Sequence, residues 1–539
     1  YFLELVHQYA RGELAIRPQT FHVHLFSWLP TLGWSQASQI VAARVVMALL
    51  SCGSAALIYG IARRFVARRS ALFALLSYLS VTAVIQHAAS FRVDPIVTFL
   101  VLLSMFAVLC KPGGWRGAVL AGAAMAVAAL VTIKSALYLV VLAGVFWCDA
   151  QTLRERTTLA CAFGAGFLTS LAALYLFHDS LLPAQPAAAP ADFLQSTASK
   201  VFLDETFPRA FDLVMMVLAN PVLWLMMAEG AVAAWMSARA RDSDSGWAWL
   251  LPLVLALPVV TPIFYRNAFD YFYPFILAPA AVLVGFAFEK HLKTAPRPNG
   301  FSVIAVLIAA QCALLVFNTV SRLPGEMPQQ RQTIAEVRAV FPESVPHIEG
   351  FGVFSDYPRV GFFMSSWGVE SYRRAGRPIF GELIAQHQPV FVFADSPSLY
   401  GALMPGIDVV KERQFLPEDV RVLQENYLQH WGMLFVAGKQ VKVTGSEPGE
   451  FSIMMGGDYR LEAGAPAIID GTRVEPGSTV ALAAGSHAIA MEGGSGDATL
   501  RWAKASYVPA VAPSDPLTFF DRKSWAGMTP SMMPPDAAR

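Results

Sequence analysis

Charge is what this 539-residue sequence has least of: 15% of its residues are Asp, Glu, Lys or Arg, against about 25% in an ordinary soluble domain. That shortfall is too large for a soluble enzyme of this length, and it excludes disorder. Net charge is lacking too. Forty Lys and Arg against 39 Asp and Glu leave +1, so no bulk field draws nucleic acid. Five cysteines are too few for a disulfide scaffold. All of them (Cys52, Cys110, Cys148, Cys161 and Cys312) lie in or beside apolar runs. The polar C-terminal part therefore has neither disulfides nor thiolate metal sites.

Long apolar runs fill the first three-fifths of the chain. They are about as long as a bilayer core requires, roughly 17–25 residues. The predicted crossings are 40–62, 70–88, 95–110, 117–133, 135–148, 157–177, 212–237, 247–265, 271–288 and 300–319. That makes ten, or nine if 117–133 and 135–148 form one re-entrant unit. Alternate connections carry Arg63, Arg64, Arg68 and Arg69; Lys111 and Arg116; Arg154 and Arg156; Arg239 and Arg241; and Lys290, Lys293 and Arg297. By the positive-inside rule these are cytoplasmic. Residues 1–38, the turn 87–94, Lys134, the loop 178–211 and the turn 266–270 then face the exoplasm, together with the C-terminal region. The first ten residues are too polar for a signal peptide. With Tyr1 in first place and an exoplasmic start, the sequence reads as a fragment lacking its first transmembrane helix.

Polar groups at membrane depth are costly, so those near the exoplasmic mouth are the functional candidates. Phe91-Arg92-Val93-Asp94-Pro95 reads as a plain helix start, with Asp94 as cap and Pro next, or as a site. Lys134 either snorkels to the interface or meets a phosphate as a point charge. Tyr271 and Tyr273 suit an interfacial belt, whereas Arg266 beside them lacks an evident anion. In residues 1–38, Leu3, Val6 and Tyr9 mark an interfacial helix, among polar residues that include Glu4, His7, Arg17, His22 and His24. His22 and His24 fall on one side of an extended segment without a third ligand in spacing, so no metal site is assigned. The loop 178–211 reads as a lid, a lipid-facing hairpin or a linker.

In order and spacing, residues 1–320 resemble the GT-C class of multi-spanning glycosyltransferases that use polyprenyl-phosphate sugars, especially the aminoarabinose transferases and protein O-mannosyltransferases. The helix remainder at Tyr1–Leu14, Arg92-Val93-Asp94, Thr132-Ile133-Lys134-Ser135 (lacking the family's Gly-Pro) and Arg266, Tyr271, Tyr273, Pro274 and Pro279 carry the resemblance. It implies an inverting transfer of a sugar from a lipid-phosphate donor to an exoplasmic lipid, glycan or protein acceptor in a bacterial-type inner membrane. It also implies that Arg92, Lys134 and Arg266 hold the donor phosphate, that Asp94 positions, and that Tyr271, His7 and Arg17 contact substrate. The family's general-base Asp would precede Tyr1, and Glu4 is no substitute. The leaving group brings its own phosphate, so no cofactor is required and a divalent cation is optional. A transporter or lipid flippase would use the same charges as a substrate path, although residues 40–177 and 212–319 show no repeat.

The expected fold is thus a polytopic α-helical membrane bundle with a C-terminal soluble exoplasmic region. Residues 1–38 are interfacial and 39–320 transmembrane. Residues 321–440 mix short buried strands with helices, as a small α/β layer does. Residues 441–508 alternate apolar and polar between Gly-rich turns, as an antiparallel β-sandwich does; it is similar to carbohydrate-binding sandwiches or serves stability alone. Residues 509–539 read as a loose tail.

Overall fold

A computed structural model describes residues 1–110, 114–183, 206–239, 247–294, 300–321, 327–404, 406–407, 409–445 and 448–511. Most of the predicted loop 178–211 and of the tail 509–539 lies outside the described residues. The chain divides into two compact units, Gln8–Pro324 and Tyr1–His7 with Gly325–Arg539.

The first unit is helical. Among the described residues, Gln36–Arg63, Leu153–Ser180, Asp270–Thr294 and Val303–Val320 are long and apolar enough to cross a membrane. The third is the central one, with 89% of its apolar window buried against 6% for Leu153–Ser180. Outward faces are apolar: Leu168, Leu176, Phe211, Leu225 and Phe317 are exposed, which suits lipid rather than water. Helices Trp115–Val131 and Leu153–Ser180 approach so closely that a Cβ on Gly122 would meet the Phe163 carbonyl, the small-residue packing common between membrane helices.

Three of the ten predicted crossings are broken. The run 70–88 divides into Arg68–Leu79 and Thr82–His87. At the break the Ser80 hydroxyl donates to Gln311, and Asn318 Nδ2 donates to the Ser80 carbonyl at 3.2 Å. The run 212–237 bends by 92° between Ala219 and Pro221. There Asn220 Oδ1 accepts from the Thr82 amide at 3.1 Å and its Nδ2 donates to the Met216 carbonyl at 3.0 Å. Side chains thus replace the backbone partners that a break removes. The run 247–265 is only short helical pieces, Ala248–Leu250, Leu251–Leu255 and Leu257–Ile263. Pro252, Pro258 and Pro262 explain this, because each lacks an amide donor and crowds the preceding turn. Runs 95–110 and 117–133 become helices of 17 residues each, at the short limit for a crossing.

The second unit is the α/β layer and sandwich expected from the sequence. Strands β1 (His347–Glu349), β2 (Arg359–Val360) and β3 (Phe391–Phe393) are parallel. β4 (Tyr427–Trp431) and β5 (Leu434–Val443) follow as an antiparallel pair. After them come β6 (Gly449–Ile453), β7 (Gly457–Ala463), β8 (Ala467–Ile469) and β9 (Thr472–Val474). The last are β10 (Thr479–Leu482), β11 (Gly485–Met491) and β12 (Gly496–Trp502). One sheet runs β10-β7-β12-β5-β3-β1-β2, with β4 also on β5, and the other runs β6-β11-β8-β9. Alternate residues such as Tyr459 and Leu461, Ile469, Ile489 and Leu500 fill the space between them.

The predicted boundary at 440 falls inside β5. Leu434–Val436 pair with β3, whereas Gly438–Val443 pair with β12. The α/β layer and the sandwich therefore share a strand and cannot be separated there. Gly438 marks the change of partner, because a Cβ on it would lie 2.6 Å from both Leu428 Cδ1 and the Leu500 carbonyl oxygen. In the same unit, buried Asp395 accepts from the amides of Gly350 at 2.5 Å and Phe351 at 2.9 Å. Neighbouring Glu349 accepts from Val353 at 2.7 Å and Phe354 at 3.2 Å. Burial, reinforced by Glu349, pushes the Asp395 carboxyl well above the usual carboxylate range.

Gly438→Ala should cost about 1–3 kcal/mol by overpacking and lower the Tm of the purified protein. Gly464→Ala, where the added carbon meets open space, should leave Tm unchanged.

Candidate functional site

Four segments of the helical unit converge on one carboxylate and one phenol ring. Extended Arg92 (φ −139°, ψ 163°) precedes the helix Val93–Leu109, which puts Asp94 in the first turn. Helix starts favour an acidic side chain, and Pro95 costs no hydrogen bond there. Extended Thr132 (φ −163°) interrupts the apolar run between Val131 and the single turn Ile133–Ala136, which carries Lys134. His87 ends the helix Thr82–His87, and Tyr271 occupies the turn Asp270–Phe272 ahead of the central helix.

Lys134 Nζ lies 2.7 Å from Asp94 Oδ1, and Arg92 Nε lies 3.2 Å from Asp94 Oδ2. Each oxygen of this buried carboxylate thus holds a different cation, leaving the group with a net positive charge. The Arg92 guanidinium lies 3.8 Å, and the Lys134 ammonium 4.6 Å, from the Tyr271 ring centroid. Both are within cation–π range. On the same ring, His87 packs edge-to-face with centroids 6.3 Å apart. His87 Nε2 is 3.0 Å from Asp270 Oδ2, and Asp270 Oδ1 accepts from the Tyr271 amide at 2.8 Å. A cavity of about 30 Å³ is bordered by His87, Asp94, Thr98 and Tyr271, enough for one or two waters. Such a cluster can hold an anion at its cations and a hydroxyl at its imidazole.

Of the residues singled out in the sequence, Arg92, Asp94, Lys134 and Tyr271 come together. Arg266 is half-buried on the connection leading to Asp270 and is not one of the two cations on Asp94. Arg17 pairs with Asp179 and donates to the Pro183 carbonyl at 3.1 Å. Its guanidinium therefore joins the segment after the helix Phe2–Ala10 to the end of Leu153–Ser180. His7 is buried on the helix Phe2–Ala10, in the part that groups with the soluble region. Among the described residues no group of three metal-ligating side chains includes His22 or His24. His24 Nε2 instead lies 2.8 Å from His178 Nδ1, and burial lowers both His22 and His24 to about 4. The pairing of His87 with Asp270 was not anticipated. Its only sequence signal was a titratable residue in each of two turns predicted to be exoplasmic.

Removing one partner of a buried ion pair strands the other. Lys134→Met and Asp94→Asn should each lower Tm, and the double variant should lose less than the sum. The expected coupling is about 1–3 kcal/mol. Additive losses would show that the pair contributes nothing to stability.

No protein-family model matches this chain, and no curated protein matches it in sequence. Solved structures do match it in shape. The apo oligosaccharyltransferase of Archaeoglobus fulgidus aligns over 90% of this chain and 72% of its own, with 10% identity and a TM-score of 0.50. ArnT from Cupriavidus metallidurans, solved with undecaprenyl phosphate, aligns over 72% and 87%, with 16% identity and a TM-score of 0.49. The arabinofuranosyltransferase AftD from Mycobacteria aligns over 87% and 36%, with 14% identity and a TM-score of 0.42. The apolar helices and the β-rich C-terminal region together make a GT-C-like membrane-protein fold, shared with the archaeal oligosaccharyltransferase.

Proposed function

We propose that this chain is a membrane glycosyltransferase that moves a sugar, a hexose or a pentose, from a polyprenyl-phosphate donor to an exoplasmic acceptor with inversion. The observation that carries this reading is the convergence of Lys134 and Arg92 on both Asp94 and Tyr271. The GT-C-like fold supports it.

A polyprenyl-phosphate sugar keeps its prenyl chain in the bilayer and its phosphate at the surface. Transfer breaks the bond between the anomeric carbon and a phosphate oxygen, so negative charge grows on the departing phosphate. Cations already fixed beside that oxygen stabilise the transition state more than the ground state. Asp94 keeps the two cations together at a fixed spacing before the donor arrives. The phosphate then takes over part of their coordination. Tyr271 offers a ring face to both, and Arg266 on the adjoining connection is the third cation assigned to the donor. A single displacement inverts the anomeric centre without a nucleophilic carboxylate.

The opposite end of the same unit supports the proposed sidedness. Arg64 pairs with Asp149 at 3.0 Å, bringing the basic connection after Gln36–Arg63 beside the one that carries Arg154 and Arg156. Cys110, just past the end of the helix that Asp94 begins, donates to the Gly60 carbonyl near that basic end. A cytoplasmic basic end supports the reading in which Asp94 lies towards the exoplasmic face of a bacterial-type inner membrane.

In proteoliposomes given radiolabelled polyprenyl-phosphate sugars, Lys134→Ala and Arg92→Ala should each lower transfer by about 100-fold or more, with Tm still measurable. Undiminished transfer by both variants would refute the assignment. Label that crosses the bilayer without joining an acceptor would instead identify a flippase.

A further inference from the structure

Lys134 rides on a turn that its own helices do not hold. Extended Thr132 ends the helix Trp115–Val131, and the single turn Ile133–Ala136 precedes the next helix, Leu137–Asp149. The first amides of such a turn have no helical partner. Locally, the Ser135 amide donates to the Thr132 carbonyl at 3.3 Å and the Lys134 amide to the Thr132 hydroxyl oxygen at 3.5 Å. The remaining donors look elsewhere. The Thr132 hydroxyl and the Ile133 amide both donate to Gln19 Oε1, at 3.3 and 3.4 Å, across a separation of 113 residues from Gln19 to Thr132.

We infer that Gln19 is a positioning residue for Lys134: its amide oxygen anchors the turn Ile133–Ala136 and so sets where the ammonium meets the donor phosphate. The inference rests on the glycosyltransferase reading above for what Lys134 does, and on hydrogen bonding alone for what holds its turn. Gln19 is half-buried, and its backbone is left-handed, with φ 63°. A residue with a Cβ adopts that conformation at a cost, and keeps it where the surroundings impose it. The flanking contacts do so here. Arg17 pairs with Asp179 and donates to the Pro183 carbonyl at 3.1 Å. Thr20 Oγ1 lies 2.8 Å from the Ile16 carbonyl oxygen and 3.0 Å from His178 Nε2, and His24 Nε2 lies 2.8 Å from His178 Nδ1. Residues on both sides of Gln19 are thus fastened to the end of the helix Leu153–Ser180, and Gln19 reaches from between them to Thr132 and Ile133.

The anchor matters because a lysine ammonium sits on a flexible stem. Asp94, 2.7 Å from Nζ, and the Tyr271 ring, 4.6 Å away, restrain the tip of Lys134, whereas the turn restrains its base. A donor phosphate that takes over coordination from Asp94 removes one restraint on the tip at the moment of use. The hold on the backbone remains, since neither Thr132 nor Ile133 depends on Asp94 for it. A cation stabilises a transition state best when its place does not relax as charge develops, and Gln19 supplies that fixity from a segment outside the cation cluster.

The test compares full-length wild type, Gln19→Gly, Gln19→Asn, Gln19→Glu, Lys134→Ala and the double variant Gln19→Gly with Lys134→Ala in proteoliposomes. Transfer from radiolabelled polyprenyl-phosphate sugars and binding of undecaprenyl phosphate are measured separately. Glycine takes the left-handed backbone freely, so Gln19→Gly should keep or raise Tm while turnover falls about tenfold or more. Asn also tolerates this backbone but is one methylene shorter, and should lose turnover in the same way. Gln19→Glu, with an acceptor oxygen at the original reach, should recover most of the loss, which a role confined to the backbone would not produce. Gln19→Gly should weaken undecaprenyl-phosphate binding about threefold or more alone, and not further in the Lys134→Ala background, because it acts through that ammonium. Turnover and binding by Gln19→Gly and Gln19→Asn within about twofold of wild type, or binding losses that add to those of Lys134→Ala, would overturn the positioning role alone. If Gln19→Gly does not fold, Gln19→Asn and its double variant with Lys134→Ala decide by the same criteria. Wild type that binds undecaprenyl phosphate but transfers no sugar would overturn the glycosyltransferase reading, with the binding cycle still deciding for Gln19. Wild type that does neither would overturn both.

Discussion

A single buried carboxylate, with a different cation on each oxygen, organises the helical unit at the end where the chemistry is placed. Charges inside an apolar bundle are tolerated only when each finds a partner at close range, because desolvation otherwise outweighs the attraction. Asp94 therefore draws together a helix start and a turn 40 residues later, and Tyr271 closes the group from a third segment. The same constraint underlies the proposed role of the site. Cations held ready beside a replaceable carboxylate can meet a phosphate without first being gathered.

The breaks in the surrounding helices follow from the same economy of polar groups. A membrane helix that stops inside the bilayer exposes amides and carbonyls with no water to satisfy them. Gln311 and Asn318 serve the break at Ser80, and Asn220 joins its own bend to the amide of Thr82. These polar residues in apolar runs look like candidates for chemistry, but their partners show that they hold the frame. The soluble unit applies the rule with acidic groups: Glu349 and Asp395, at the ends of adjacent parallel strands, each accept two loop amides.

Much of this was legible in the sequence. The division into a helical body and a mixed β-rich tail follows from where charge and turn residues return. Arg92, Asp94, Lys134 and Tyr271 stood out because an isolated charge or an arginine among aromatics is expensive in an apolar setting. Arg17 stood out for the same reason, but its partner Asp179 lies 162 residues away and no local pattern reveals it. Two runs long enough to cross, 212–237 and 247–265, were not continuous helices, since a hydropathy window weighs length and apolarity but is blind to what Pro221, Pro252, Pro258 and Pro262 do to backbone hydrogen bonding; the third, 70–88, breaks at Ser80 without a proline. The boundary at 440 failed for a related reason. Leu434–Gly438 are all buried and alternation begins only after them, yet both stretches belong to one strand whose pairing partner changes.

The sequence by itself determined which residues are too polar for their surroundings, which segments are long and apolar, and where the chain becomes β-rich, because burial energy is read residue by residue along a chain. Tertiary structure alone decided which of the polar residues share a site. Whether Lys134 meets Asp94 or lipid, and whether His87 meets Asp270 or solvent, depends on the crossing of helices distant in sequence, and ion pairs and hydrogen bonds act over only a few ångströms.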